Sequence, residues 1–197
     1  MSLLRRLLVR NMLLGRQLEV LAICGVRPNR DVELADLLAG HSESEYERSP
    51  FRLLLCVLGG NSHREPYRPL SDDIWFLDVD CIAAPGDYVR VATRMATLAG
   101  GALPIRDVYD QIDLRQSSAS LSFTLHGRPI RWHARIEEGW IDARIMSNFA
   151  ELLEEQDTDE RFTYLDLPGK ECLIGHATPQ GLATLRRETG LGFEWLG

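Results

Sequence analysis

Apolar positions recur along the start of the chain at Leu4, Leu7, Leu14, Leu18 and Leu21. With Asn11 they are spaced 3, 4, 3, 4 and 3 residues apart, which places all six on one stripe of a helix. Pro28 and Asn29 break that pattern. Val32, Leu34, Leu37 and Leu38 then predict a short helix over Asp31–Leu38 that stops at Gly40. Ser42 with Glu45, and Ser44 with Glu47, form two overlapping capping-box patterns for the next helix. Ser49 followed by Pro50 reads as a cap with proline in the first turn, opening a helix over Phe51–Leu58 that Gly59 and Gly60 close. Residues Asn61–Asp73 carry two prolines and no periodicity, the pattern of a linker.

Beyond the linker, strand-like and helix-like segments alternate. Ile74–Ile82 is rich in aromatic and β-branched residues and predicts a strand. Pro85, Gly86 and Asp87 open a helix whose inner stripe is Tyr88, Val91, Ala92, Met95, Leu98 and Ala99, ended by Gly100 and Gly101. Ile105–Leu114 predicts a strand. Ala119–Leu125 and Pro129–Ile136 flank the hairpin signal His126-Gly127-Arg128. In the first arm Leu121, Phe123 and Leu125 alternate with Ser120, Ser122 and Thr124, so one face is buried and the other wet, as in an antiparallel sheet. Asp142 caps a helix with Ile145, Phe149, Leu152 and Leu153 inward. Phe162–Leu167 and Glu171–Gly175 flank a second turn at Pro168-Gly169, Thr178-Pro179 opens a last helix closed by Gly190, and Leu191–Leu196 ends the chain as a short strand.

These elements predict an α+β fold, an antiparallel sheet with helices packed on one face, preceded by a helical N-terminal region. The expected organisation is a helical region over 1–60, a linker over 61–73 and an α+β domain over 74–197, as separate parts or as one compact unit. At 197 residues, the chain buries roughly 70% of its unfolded surface, enough for a core without staples. The longest all-apolar run, Leu53–Leu58, falls far short of the roughly 18–20 residues that span a bilayer. Arginines interrupt the apolar stretch at the start, so it does not read as a signal peptide.

Charge narrows the choice of partners. The chain holds 29 acidic residues against 22 basic ones, a net charge of −7, which argues against nonspecific nucleic-acid binding. Arg5, Arg6, Arg10, Arg16, Arg27 and Arg30 crowd the start, while acids dominate from Glu137 to Glu171. Cys24, Cys56, Cys81 and Cys172 form no CxxC pair and read as reduced core thiols of a cytoplasmic protein.

The residues offer no catalytic signature. Dinucleotide and phosphate-loop glycines, the GxSxG elbow and HExxH are all absent, so no catalytic residue and no cofactor are assigned. Lys170 after Pro168-Gly169 belongs to the hairpin turn. His126 and His133 bracket a hairpin and are expected to face each other across it, without the helical spacing of zinc ligands. Asp78 and Asp80 are two apart on the predicted strand and share a face, with Asp72, Asp73, Asp110 and Asp113 on neighbouring segments; convergent aspartates can hold a divalent cation or do acid–base work. The densest charge is Glu151–Glu160, where Glu151, Glu154, Glu155, Asp157, Asp159 and Glu160 make a single-sign patch, suited to docking a basic protein partner.

The C-terminal blocks carry a resemblance. Trp75, Asp78 and Asp80 on the predicted strand, Gly86-Asp87-Tyr88 opening a helix that ends at Gly100-Gly101, Gly139-Trp140-Ile141-Asp142 before the next, and the closing Thr189–Leu196 together resemble small α+β immunity proteins of bacterial polymorphic-toxin and secreted-effector systems, over residues 30–197. The resemblance implies an inhibitor without catalytic residues that docks on a cognate toxin domain. Three readings stand: an immunity protein using the acidic patch, an enzyme or metal-binding protein using Asp78 and Asp80, and an adaptor that pairs through its N-terminal helix.

Overall fold

The computed structural model describes residues 12–65 and 67–197. Leu4, Leu7 and Asn11 of the N-terminal stripe, the arginines at its start, and Pro66 of the predicted linker lie outside the described residues. Helix α1 (Leu14–Ile23) is followed by the single turn α2 (Leu34–Leu37), α3 (Glu43–Arg48) and α4 (Arg52–Gly59). Then come β1 (Ile74–Asp78), α5 (Asp87–Leu98), β2 (Ile105–Asp113), β3 (Ser118–Leu125) and β4 (Arg128–Arg135). The chain closes with α6 (Ala143–Glu154), β5 (Arg161–Asp166), β6 (Glu171–Ala177), α7 (Pro179–Thr189) and β7 (Glu194–Trp195).

The fold is mixed α+β with a helical N-terminal region, and its strands form two antiparallel sheets rather than one: β1-β6-β5-β7 and β2-β3-β4. The expectation of helices on one face is corrected for the first sheet, which is covered on both. Ile74, Phe76, Leu165, Leu173 and Ala177 pack with α1, α3, α4 and α7. Trp75, Leu77, Phe162, Tyr164, Cys172 and Ile174 pack with α5, α6 and the second sheet. The physical reason is in the strands themselves: β1 and β6 are apolar almost without interruption, so both of their faces need cover. The second sheet behaves as its alternation predicts. Leu121, Phe123 and Leu125 are buried, and Phe123 packs on Trp132 and Phe149 at ring-centroid distances of 5.0 and 5.8 Å.

Local signals place most helix ends. Ser42 and Glu45 form their capping box; the Ser44–Glu47 pattern does not form a second one. Asp142 accepts from the Arg144 amide, and Thr178 from the Gly181 amide. The expected start of α4 is corrected: Ser49 closes α3 instead, and α4 begins at Arg52 after Phe51, whose φ is 65°. Phe51 is fully buried and its amide donates to the side chain of Gln17 at 2.9 Å, so tertiary packing holds a conformation that the local sequence disfavours. Gln17, also fully buried, donates to the carbonyls of Met12 and Tyr46. The described part of the N-terminal stripe faces inward, with Leu14 and Leu21 buried in the molecule's own core.

Residues 61–73 are tied to both neighbours. Asn61 bridges Pro69, the Asn29 amide donates to the Leu70 carbonyl, and the Arg27 amide donates to Asp73. Buried Arg94 of α5 donates to the carbonyls of Ser71 and Ile74 and lies 3.4 Å from Asp72. Helix α4 approaches β1 closely at Gly59, where a Cβ would stand 2.4 Å from the Phe76 amide nitrogen and 2.9 Å from the Trp75 carbonyl carbon. Neither contact is to a movable side-chain end. Gly59→Ala is therefore expected to lower stability by about 2–3 kcal/mol, read as a lower urea midpoint at unchanged m-value; a change under about 0.5 kcal/mol means the helix retreats freely.

Candidate docking surface

The acidic residues are presented by an ordered corner. Helix α6 buries Ile145, Phe149 and Leu153 and turns Glu151 and Glu154 outward. Glu155 is its C-cap. Beyond it, Gln156 donates to the Leu152 carbonyl at 2.7 Å and meets His126 Nε2 at 3.1 Å, and the Glu160 amide donates to Thr158 Oγ1. The helix end, the loop and the tip of the β3–β4 hairpin are thus joined. Glu151, Glu154, Glu155, Asp157 and Asp159 are exposed and Glu160 is half-buried. Arg161 pairs with Glu154 at 2.8 Å, and His176 Nδ1 lies 3.9 Å from Glu160. No cation pairs with Glu151, Glu155, Asp157 or Asp159 among the described residues. Burial holds the His176 imidazole below its usual range, against the opposite pull of Glu160.

The other aspartates do not converge. Strand β1 ends at Asp78, short of the predicted Ile82, and Asp80 lies in the loop beyond it. Asp78 accepts from the Asp80 amide, while Asp80 pairs with Lys170 at 3.0 Å. Asp72 faces Arg94 and Asn29, Asp73 receives the Arg27 amide, and Asp113 receives the amides of Arg115 and Gln116. No group of three or more histidine, cysteine or carboxylate side chains among the described residues is arranged to hold a metal ion. The expected pairing of His126 with His133 is corrected as well. His126 sits in the two-residue turn with Gly127, at φ 48° and 77°, and His133 pairs with Ser120.

Asp110 has a structural task that strand alternation hides. The β2–β3 register shifts between Arg106 and Tyr109, where Asp107 adopts φ 52°. This bulge reverses the inside–outside phase of the rest of the strand. Asp110 turns inward and becomes buried, accepting from the amides of Gly86, Tyr88 and Val89 at the start of α5 at 2.9–3.2 Å. Tyr109 turns outward and is 59% exposed. Asp110→Ala strips those amides of their acceptor and is expected to cost about 2–4 kcal/mol in urea unfolding; a near-neutral result would show that water replaces the carboxylate.

A second exposed aromatic stands at the turn before α6. Glu138 and Gly139 both have positive φ, 53° and 85°, and a Cβ on Gly139 would meet Asp80 at 2.8 Å. The turn leaves Trp140 41% exposed, with Lys170 Nζ 5.0 Å from its ring centroid. Asp142 beside it accepts from the Arg135 and Arg144 amides and from the Arg144 guanidinium at 2.6 Å. These bonds, Arg144 first, pull the Asp142 carboxyl down to about 2. Because the folded state binds this proton more weakly than the unfolded chain does, the stabilisation is complete above about pH 4 and disappears as pH falls toward 2. Melting temperature measured from pH 5 to 2 should fall more steeply for the wild type than for Asp142→Asn; parallel curves would remove Asp142 from the acid response.

The thiols are free at Cys24, Cys56, Cys81 and Cys172, and burial pushes Cys56 up to about 11 and Cys172 up to about 12, which makes them poor nucleophiles. Among the described residues no helix is long and apolar enough to cross a membrane. The chain matches no protein-family model, no curated protein sequence and no solved structure.

Proposed function

We propose that this chain is a cytoplasmic binding protein of the immunity class, which neutralises a cognate toxin domain by covering its working surface. The observation that carries the reading is the ordered acidic corner: Glu151, Glu155, Asp157 and Asp159 stand exposed and unpaired with cations among the described residues, on a helix end and loop held by Gln156 and His126. A fixed single-sign surface steers a basic partner and rejects acidic ones. A toxin that handles nucleic acid presents such a basic cleft. The resemblance of residues 30–197 to immunity proteins supports the same reading, and four free thiols suit a reducing compartment.

The two other readings draw less support. A metal or acid–base centre needs its carboxylates together, and Asp80 is engaged by Lys170 while Asp110 caps a helix. An adaptor seam needs an outward stripe, and Leu14 and Leu21 are buried internally.

The test is co-purification from the source organism, followed by expression of the captured protein. A stoichiometric partner that arrests growth alone, and is silenced by this chain, is the expected result. Replacing Glu151, Glu155, Asp157 and Asp159 with lysine is expected to slow association by about tenfold or more at low salt and to flatten its salt dependence. A partner whose binding ignores these four residues overturns the acidic docking surface; a partner with no harmful activity overturns the immunity reading.

A further inference from the structure

The open face of the second sheet carries charge of the opposite sign. Strand pairing arranges it in three rungs: Tyr109–Ser122–Arg131, Gln111–Ser120–His133 and Asp113–Ser118–Arg135. The middle strand contributes only serines, so its taller neighbours stand up as walls. Together they bound a groove of about 550 Å³. Arg131 and His133 form one wall, both exposed, and Arg135 stands on the same face beyond it; of the two carboxylates in the lining, Asp113 stands at the far end and Asp110 is taken up by the amides at the start of α5. Arg131 is steadied by neutral partners, donating to Gln111 Oε1 at 3.3 Å and to Ser120 Oγ at 3.2 Å. No carboxylate pairs with Arg131 among the described residues, although acids outnumber bases 29 to 22 in the chain. An oriented guanidinium without a counter-charge, beside serine hydroxyls and an exposed tyrosine, has the chemistry of a carboxylate receptor.

We infer that this groove binds a short acidic segment of a protein partner in extended conformation, its carboxylates along the Arg131–His133 wall. Charge complementarity selects the occupant, and the surroundings limit its length. Asp113 lies at one end with Glu137 beside Arg135 at 3.6 Å, and the acidic corner lies past the hairpin tip, where His126 meets Gln156. A continuous polyanion such as nucleic acid meets repulsion at both ends; a segment with a few carboxylates does not. This site is distinct from the acidic corner and stands whether or not that corner docks a toxin.

The test uses the full chain and fluorescence anisotropy. The probe is a short fluorescein-labelled peptide of alternating glutamate and threonine, which sets its carboxylates on one side of a strand. The glutamine version and a single-stranded thymidylate of equal charge are compared with it. The glutamate peptide is expected to bind in a salt-sensitive manner, at least about tenfold more tightly than either comparison probe. Arg131→Gln is expected to cost about tenfold in affinity, and Arg131→Lys to restore part of it, both with unchanged melting temperature. Equal binding of the glutamate and glutamine peptides, tighter binding of the thymidylate, indifference to Arg131→Gln, or no binding up to millimolar peptide would each overturn the proposal.

Discussion

Strand β6 lies between β1 and β5 and faces two cores at once. Its Leu173 and Ala177 side chains meet the N-terminal helices and α7, while Cys172 and Ile174 meet α5, α6 and the second sheet. Of these, Leu173 and Ile174 are fully buried and contribute about 1.5–3 kcal/mol each, and neither face can be left open without exposing the other layer's floor. The four-stranded sheet therefore acts as a partition. Helices from both ends of the chain share one side of it, which is why α7, late in the chain, packs in the same core as α1. The close passage of Gly59 over Phe76 brings the N-terminal layer down onto β1, and Arg94 fastens the connecting loop from the other side of the strand.

That partition supplies rigid platforms for surfaces of opposite sign. The acidic corner is the far end of α6, fixed by Phe149 and Leu153 in the core and by Gln156 at the hairpin tip. The groove along Arg131 is on the outer face of the sheet whose inner face holds Leu121 and Phe123. Neither surface rests on a long loop. Preorganised charge of this kind lowers the ordering cost of association.

The carboxylates show how position outweighs composition. Asp110, Asp113 and Asp142 accept backbone amides, and Asp80 meets the chain's single lysine. A carboxylate that accepts amides at a helix start or turn stabilises local structure and is held in place by it. Those of Glu151, Glu155, Asp157 and Asp159 accept no such bonds among the described residues, and all four face solvent. The distinction lies in whether a helix N-terminus or turn is within reach, and linear density of charge does not report it.

What the sequence determined by itself was whatever depends on neighbours a few residues away. The Ser42–Glu45 box, the caps at Asp142 and Thr178, the turns at His126-Gly127 and Pro168-Gly169, and the antiparallel pairing they imply are set by backbone chemistry within a single turn. The tertiary structure decided the rest. It split the strands into two sheets, gave Phe51 its positive φ through Gln17, and placed a bulge at Asp107 that sends Asp110 inward and Tyr109 outward. It also set Arg131 beside Gln111 and Ser120, residues far apart in the chain. Strand order and register are chosen by the sum of long-range packing, and a shift of one residue exchanges a strand's two faces; no local pattern in β2 carries that information.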